Sequence, residues 1–99
     1  MNASREDLKE TVELWAERIG VKVQEIHLRS MQRKWASISM KGRLTLNTEL
    51  LNLPEVLTEY VIVHELVHLL VPNHGKLFKS FMSAYLPDWE ERQDRLRSL

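Results

Sequence analysis

The stretch His64-Glu65-Leu66-Val67-His68, with a further histidine at His74, constrains this chain more than any other. On a helix, positions i and i+4 share a face with Cβ atoms about 5–6 Å apart. The imidazoles of His64 and His68 can therefore converge on one metal ion, with Zn–N bonds of about 2.0–2.1 Å, while Glu65 sits one step round the helix. From Val61 to Val71 every polar side chain belongs to this motif. A helix apolar all round is a buried one, and burying a carboxylate and two imidazoles without partners is costly. A bound cation accounts for all three. Pro72 ends or kinks the helix, and Asn73, tolerant of left-handed backbone, is expected to reverse the chain and bring His74 back towards the ion.

The competing explanation is a metal-free pair of core histidines. A shuffled chain of this composition yields H-E-x-x-H about twice per hundred, so the motif alone discriminates weakly. The apolar helical setting and His74 together favour the metal site.

Composition narrows the rest. Ninety-nine residues suit a single domain, 1–99, in which a metal would add usefully to a modest core. Cysteine is absent, so no disulfide holds the fold, and any metal is bound through histidine and carboxylate, as fits a reducing cytoplasm. The polar N-terminus lacks the apolar core of a signal peptide. The longest apolar stretch is too short and interrupted to span a bilayer, so a soluble cytoplasmic protein without membrane contact is expected. Net charge is zero, yet residues 22–43 gather Lys22, Arg29, Arg33, Lys34, Lys41 and Arg43 against Glu25 alone. Such a stretch is usually a solvated sheet face, and overall neutrality argues against tight nucleic-acid binding.

Ser4 with Asp7 has the form of a capping box, after which Leu8, Val12, Trp15 and Ile19 follow at helical spacing until Gly20 stops the helix. The period then changes to two. Strands are expected near 25–30, 35–40 and 43–47, with Ala36, Ile38 and Met40 facing the core and Lys41-Gly42 turning the last two strands into a hairpin. Trp35 should pack under a helix. Pro54 suits the first position of the motif helix. Leu77, Phe78, Phe81, Met82 and Tyr85 form the apolar face of a third helix, and Asp88 with Glu91 offers a capping box for a short fourth carrying Trp89, Leu96 and Leu99. The expected fold is α+β, about four helices packed on a three-stranded sheet.

Read this far, the chain resembles the YgjP-like metallopeptidase family over nearly its whole length. The matching stretches are 15–21, the Met31…Arg33-Lys34-Trp35 segment, 41–47, Leu53-Pro54, 60–68, Pro72-Asn73-His74 and Pro87-Asp88-Trp89. His74-Gly75-x-x-Phe78 is similar to the third-ligand region of SprT-like proteases. The resemblance implies a small zincin-like domain with one zinc held by His64, His68 and His74, and Glu65 as general base. Where the family usually has Gly-Ser-Cys, this chain has Ala36-Ser37-Ile38, which touches no expected ligand. The histidine spacing also equals that of metzincins, but Val71 replaces their glycine, so that assignment is not made.

Three neutral imidazoles leave a fourth zinc position for water, which the ion acidifies towards a pKa of about 7 and Glu65 deprotonates. The expected reaction is hydrolysis of a peptide or unfolded protein substrate. Tyr60 or Tyr85 could stabilise the oxyanion, although packing is the simpler role for each, and His27 reads as a surface residue. The substrate is expected to pair with the sheet edge, taken as 43–47 from its nearness in sequence, with Leu44 and Leu46 inward and Thr45 and Asn47 outward. The alternative is a non-catalytic zinc-containing binding module, nucleic-acid associated through 22–43. Retention of Glu65 beside an open coordination position speaks against it.

Overall fold

The computed structural model describes residues 4–99. Met1-Asn2-Ala3, part of the argument against a signal segment, lies outside the described residues. Helix α1 (Arg5–Ile19) starts at the expected capping box: Asp7 N donates to Ser4 Oγ at 3.2 Å and Ser4 N to Asp7 Oδ2 at 3.0 Å. Leu8, Val12, Trp15 and Ile19 are buried, and Gly20 closes the helix at φ 82°, where a left-handed residue without Cβ is favoured.

Strands β1 (Glu25–Arg29), β2 (Ala36–Ile38) and β3 (Arg43–Asn47) form a mixed sheet in the order β1-β3-β2, with β1 parallel and β2 antiparallel to β3. β2 and β3 make the expected hairpin, closed by Gly42 N donating to Ser39 O at 2.9 Å. Gly42 has φ +86°, and a Cβ there would lie 2.7 Å from Lys22 O. This close approach lets Gln24 N donate to Gly42 O at 2.8 Å and sets the chain into β1. Met40, expected to face the core, is 73% exposed because the turn has already begun.

The edge assignment requires correction. β3 is the central strand: Thr45 pairs with His27 on one side and Ser37 on the other. Nor does Asn47 face outward. It is buried, its amide donates to Met31 O and Lys34 O at 2.8 Å each, and its Oδ1 accepts from Glu49 N at 3.0 Å. It thereby caps the 3-10 turn Thr48–Asn52 and pins the loop before β2. The open edge next to the motif helix belongs to β2. Asn47 N donates to Trp35 O at 2.9 Å and Ser39 N to Arg43 O at 3.0 Å, so residues 35 and 39 point their backbone at β3. Alternation along an antiparallel ladder turns the N–H and C=O of Ala36 and Ile38 the other way.

Helix α2 (Glu55–Val67) runs through the middle of the domain, packed against α1, β2, α3 and α4, with Ile62, Val63, Leu66 and Val67 fully buried. Pro54 is its N-cap rather than its first helical residue. Helix α3 (Lys76–Tyr85) buries Phe78 and Met82 but leaves Leu77 exposed. Helix α4 (Trp89–Arg97) buries Trp89 and leaves Leu99 beyond its end in solvent. The expected capping box at Asp88 does not form, because Asp88 Oδ1 accepts from Arg92 Nε at 2.9 Å instead. Arg92 Nη1 reaches Glu59 Oε1 at 2.7 Å, and Glu59 Oε2 accepts from Trp15 Nε1 at 3.0 Å, tying α4 and α1 to α2. Among the described residues, no helix is long and apolar enough to cross a membrane.

Candidate metal centre

The motif helix delivers His64, Glu65 and His68 to one end of the core. It ends at Val67, well before Pro72, tightening through His68 N to Glu65 O at 3.1 Å, Leu69 N to Leu66 O at 3.0 Å and Leu70 N to Val67 O at 2.9 Å. His74 follows bends at Pro72 and Asn73. Asn73 is not left-handed as expected, since no non-glycine residue among those described has positive φ. The bends at Pro72 and Asn73 return the chain without a positive φ.

The three histidines meet. His68 Nε2 lies 3.2 Å and His74 Nε2 3.3 Å from His64 Nε2, and one nitrogen from each ring falls within 4.8 Å of the others. Two nitrogens, each about 2.0–2.1 Å from a tetrahedral ion, stand about 3.3–3.4 Å apart. Two of the three pairs have that spacing, and the third lies within 4.8 Å, as in a metal-binding set. Their chemistry agrees: His68 Nδ1 faces Val71 O at 3.3 Å, and since a carbonyl only accepts, that nitrogen carries the proton. The neutral ring then presents a bare Nε2 lone pair to its neighbours. Burial, followed by the neighbouring His68 and His74, pushes the His64 pKa down to about 4. Burial also lowers His68, against the opposing carbonyls of Val71 and Pro72. Two partly desolvated imidazoles, His64 and His68, that resist protonation suit a cation better than protons.

Glu65 Oε2 lies 3.9 Å from His64 Nε2. Burial pushes its pKa up to about 7, with Lys34 opposing; a dication nearby favours the ionised form. The carboxylate lines a hollow of about 240 Å³ with Lys34, Trp35, Ala36, Tyr60, Val61 and Leu96. Trp35 thus combines its expected packing role with a position on the wall beside Glu65. On the other side of His64, a second hollow includes His74, Phe78, Lys79, Gln93 and Arg97.

Of the two tyrosines weighed as oxyanion donors, Tyr85 packs against Trp15 and Phe81 with ring centroids 6.2 and 6.4 Å away. Tyr60 instead holds its hydroxyl 3.3 Å from His64 Nδ1, on the side of the ring away from the cluster. His27 is exposed and pairs with Glu25 at 2.9 Å. The basic side chains of 22–43 are likewise exposed.

Phe78 has a larger role than its apolar spacing suggests. Its ring centroid lies 5.1 Å from that of His64, 4.8 Å from His68 and 4.8 Å from His74, an apolar platform under all three imidazoles. Phe78→Ala is expected to cost about 3–5 kcal/mol of stability and to weaken metal uptake as the rings lose their common support. Denaturant unfolding of the metal-free protein and a zinc competition titration check this; unchanged values in both would make Phe78 a bystander.

The YgjP-like metallopeptidase domain profile matches residues 2–99, and the chain belongs to that family. It is an enzyme of the metallopeptidase class, acting on peptide substrates. Among solved structures, it is similar to the metallopeptidase zymogen abylysin of Pyrococcus abyssi, at TM-score 0.81 and 26% identity over 92% of both chains. The metallopeptidase zymogen jannalysin of Methanocaldococcus jannaschii matches at TM-score 0.82 and 28% identity, over 93% of this chain and 95% of that one. A search of curated proteins finds no match. The shared architecture of helices on a three-stranded mixed sheet is zincin-like.

Proposed function

We propose that this chain is a cytoplasmic zinc peptidase that hydrolyses peptide bonds in extended or unfolded protein, with His64, His68 and His74 holding one zinc and Glu65 as general base. The observation that carries this reading is the convergence of the three histidine side chains beside a half-buried carboxylate. When bound, zinc supplies Lewis acidity, which acidifies water and polarises a carbonyl. Glu65 takes the proton from the attacking water and returns it to the leaving amine, a task suited to a base near neutrality. The partial burial of Glu65 shields that transfer from bulk solvent, and Lys34 at the rim favours the carboxylate form. A reducing cytoplasm is consistent with the absence of cysteine.

The β2 edge supports an extended substrate. Ala36 lines the hollow with Glu65, and its backbone N–H and C=O face away from β3. A substrate strand added there gains main-chain hydrogen bonds that read no side chains, so specificity should be broad. Ala36→Pro removes one edge donor while sparing the β3 ladder. It is expected to weaken substrate binding with zinc content retained. Unchanged peptide kinetics in a folded, zinc-loaded variant would mean that substrate is held elsewhere.

The test of the reaction is turnover of an unfolded protein, abolished by chelation and restored by zinc. Because the two solved relatives are zymogens, it includes an arm after limited proteolysis. A zinc-loaded protein inert in both arms but retained on immobilised DNA in a salt-dependent way would favour the binding-module alternative.

A further inference from the structure

We propose that Gln93, on α4, is a positioning residue for the metal centre and acts on His64 through Tyr60. This rests on the reading of His64 as a zinc ligand through Nε2. An imidazole that gives Nε2 to a metal carries its proton on Nδ1, and that N–H needs an acceptor to hold the ring and its tautomer. For His68 the acceptor is the carbonyl of Val71. For His64 it is the Tyr60 hydroxyl at 3.3 Å. A phenol oxygen has two lone pairs. Gln93 Nε2 donates to the second at 3.1 Å and fixes the hydroxyl from behind. Tyr60 is itself buried, so its oxygen has little water to take the place of these partners.

The rest of α4 is anchored without Gln93. Trp89 is buried and its Nε1 donates to Ser83 Oγ at 3.0 Å, while Arg92 Nη1 bonds Val56 O at 3.1 Å and Glu59 Oε1 at 2.7 Å. Gln93 can therefore be replaced without undocking the helix. Its contribution is directional: it holds an acceptor at the Nδ1 side of a ring whose Nε2 points into the cluster. This makes α4 part of the metal site although it supplies no ligand.

The experiment is a zinc competition titration with a chromogenic chelator on the full chain, with visible spectra of the cobalt-substituted protein. Losing an outer hydrogen-bond partner of a ligating histidine typically costs 10–100-fold in metal affinity. Tyr60→Phe is expected to fall in that range, and Gln93→Leu about tenfold, with metal-free thermal stability near wild type. Gln93→Glu should recover wild-type affinity or better, because its carboxylate accepts from the Tyr60 O–H and leaves the oxygen a stronger acceptor for His64. The decisive comparison is a double-mutant cycle. If Gln93 acts through Tyr60, Gln93→Leu changes nothing further in the Tyr60→Phe background. Additive losses, or wild-type affinity in Gln93→Leu, would overturn the proposal while leaving the zinc reading intact. A wild-type protein that takes up no zinc overturns both.

Discussion

Glu65→Gln is expected to lower peptide hydrolysis by about 10²–10⁴-fold while the protein keeps one zinc. Gln matches Glu in size and hydrogen-bonding outline, but an amide cannot accept the proton. The loss corresponds to roughly 3–5 kcal/mol of transition-state stabilisation and should fall on kcat rather than KM, since the interaction removed is made during reaction. Zinc should persist because Glu65 stands beside the histidine cluster and is no member of it. The substitution also replaces a half-buried carboxyl by a neutral group, so it should fold readily. Steady-state kinetics alongside elemental analysis check both halves. Equal turnover in variant and wild type would remove Glu65 from the role of base, and loss of zinc would make it a ligand.

The histidine cluster was legible because the information is local. His64 and His68 meet through the helical repeat, and only a short loop separates them from His74. The supports were not legible for the opposite reason. Gln93 reaches Tyr60 from 33 positions away, and Asn47 holds Met31 and Lys34 from 16 and 13 positions away. No periodicity joins such residues. The nearest available signal was the polar Gln93 on the helix that carries buried Trp89 and half-buried Leu96.

The same division runs through the fold. Ser4 and Asp7 formed their capping box, whereas the similar pattern at Asp88 and Glu91 did not. Both patterns are locally sufficient; the difference is Arg92, which claims Asp88 while also reaching Glu59 on α2. The hairpin of β2 and β3 followed from the Lys41-Gly42 turn. Strand order did not, because β1 pairs with β3 in parallel across the intervening β2, and nothing local encodes that contact. The consequence reaches the site, since it exchanges Arg43–Asn47 for β2 as the strand with free backbone groups.

His64→Ala is expected to abolish stoichiometric zinc and, with it, the response of thermal stability to zinc. His64 is at the centre of the cluster, with both other Nε2 atoms within hydrogen-bonding distance of its own. Removing it leaves two nitrogens, too few for the three-ligand set of a catalytic zinc site. A metal that binds only the folded state adds about 2.7 kcal/mol when present at 100 times its Kd. For a domain of this size each kcal/mol moves Tm by about 4–8 °C, so wild type should gain roughly 10–20 °C on zinc loading while His64→Ala gains little. Far-UV circular dichroism of both metal-free proteins separates this from simple misfolding. His27→Ala is the control, since His27 is exposed and paired with Glu25, so its zinc uptake should match wild type. A folded His64→Ala protein that binds one zinc with wild-type affinity would show that the ion is held by another set of residues.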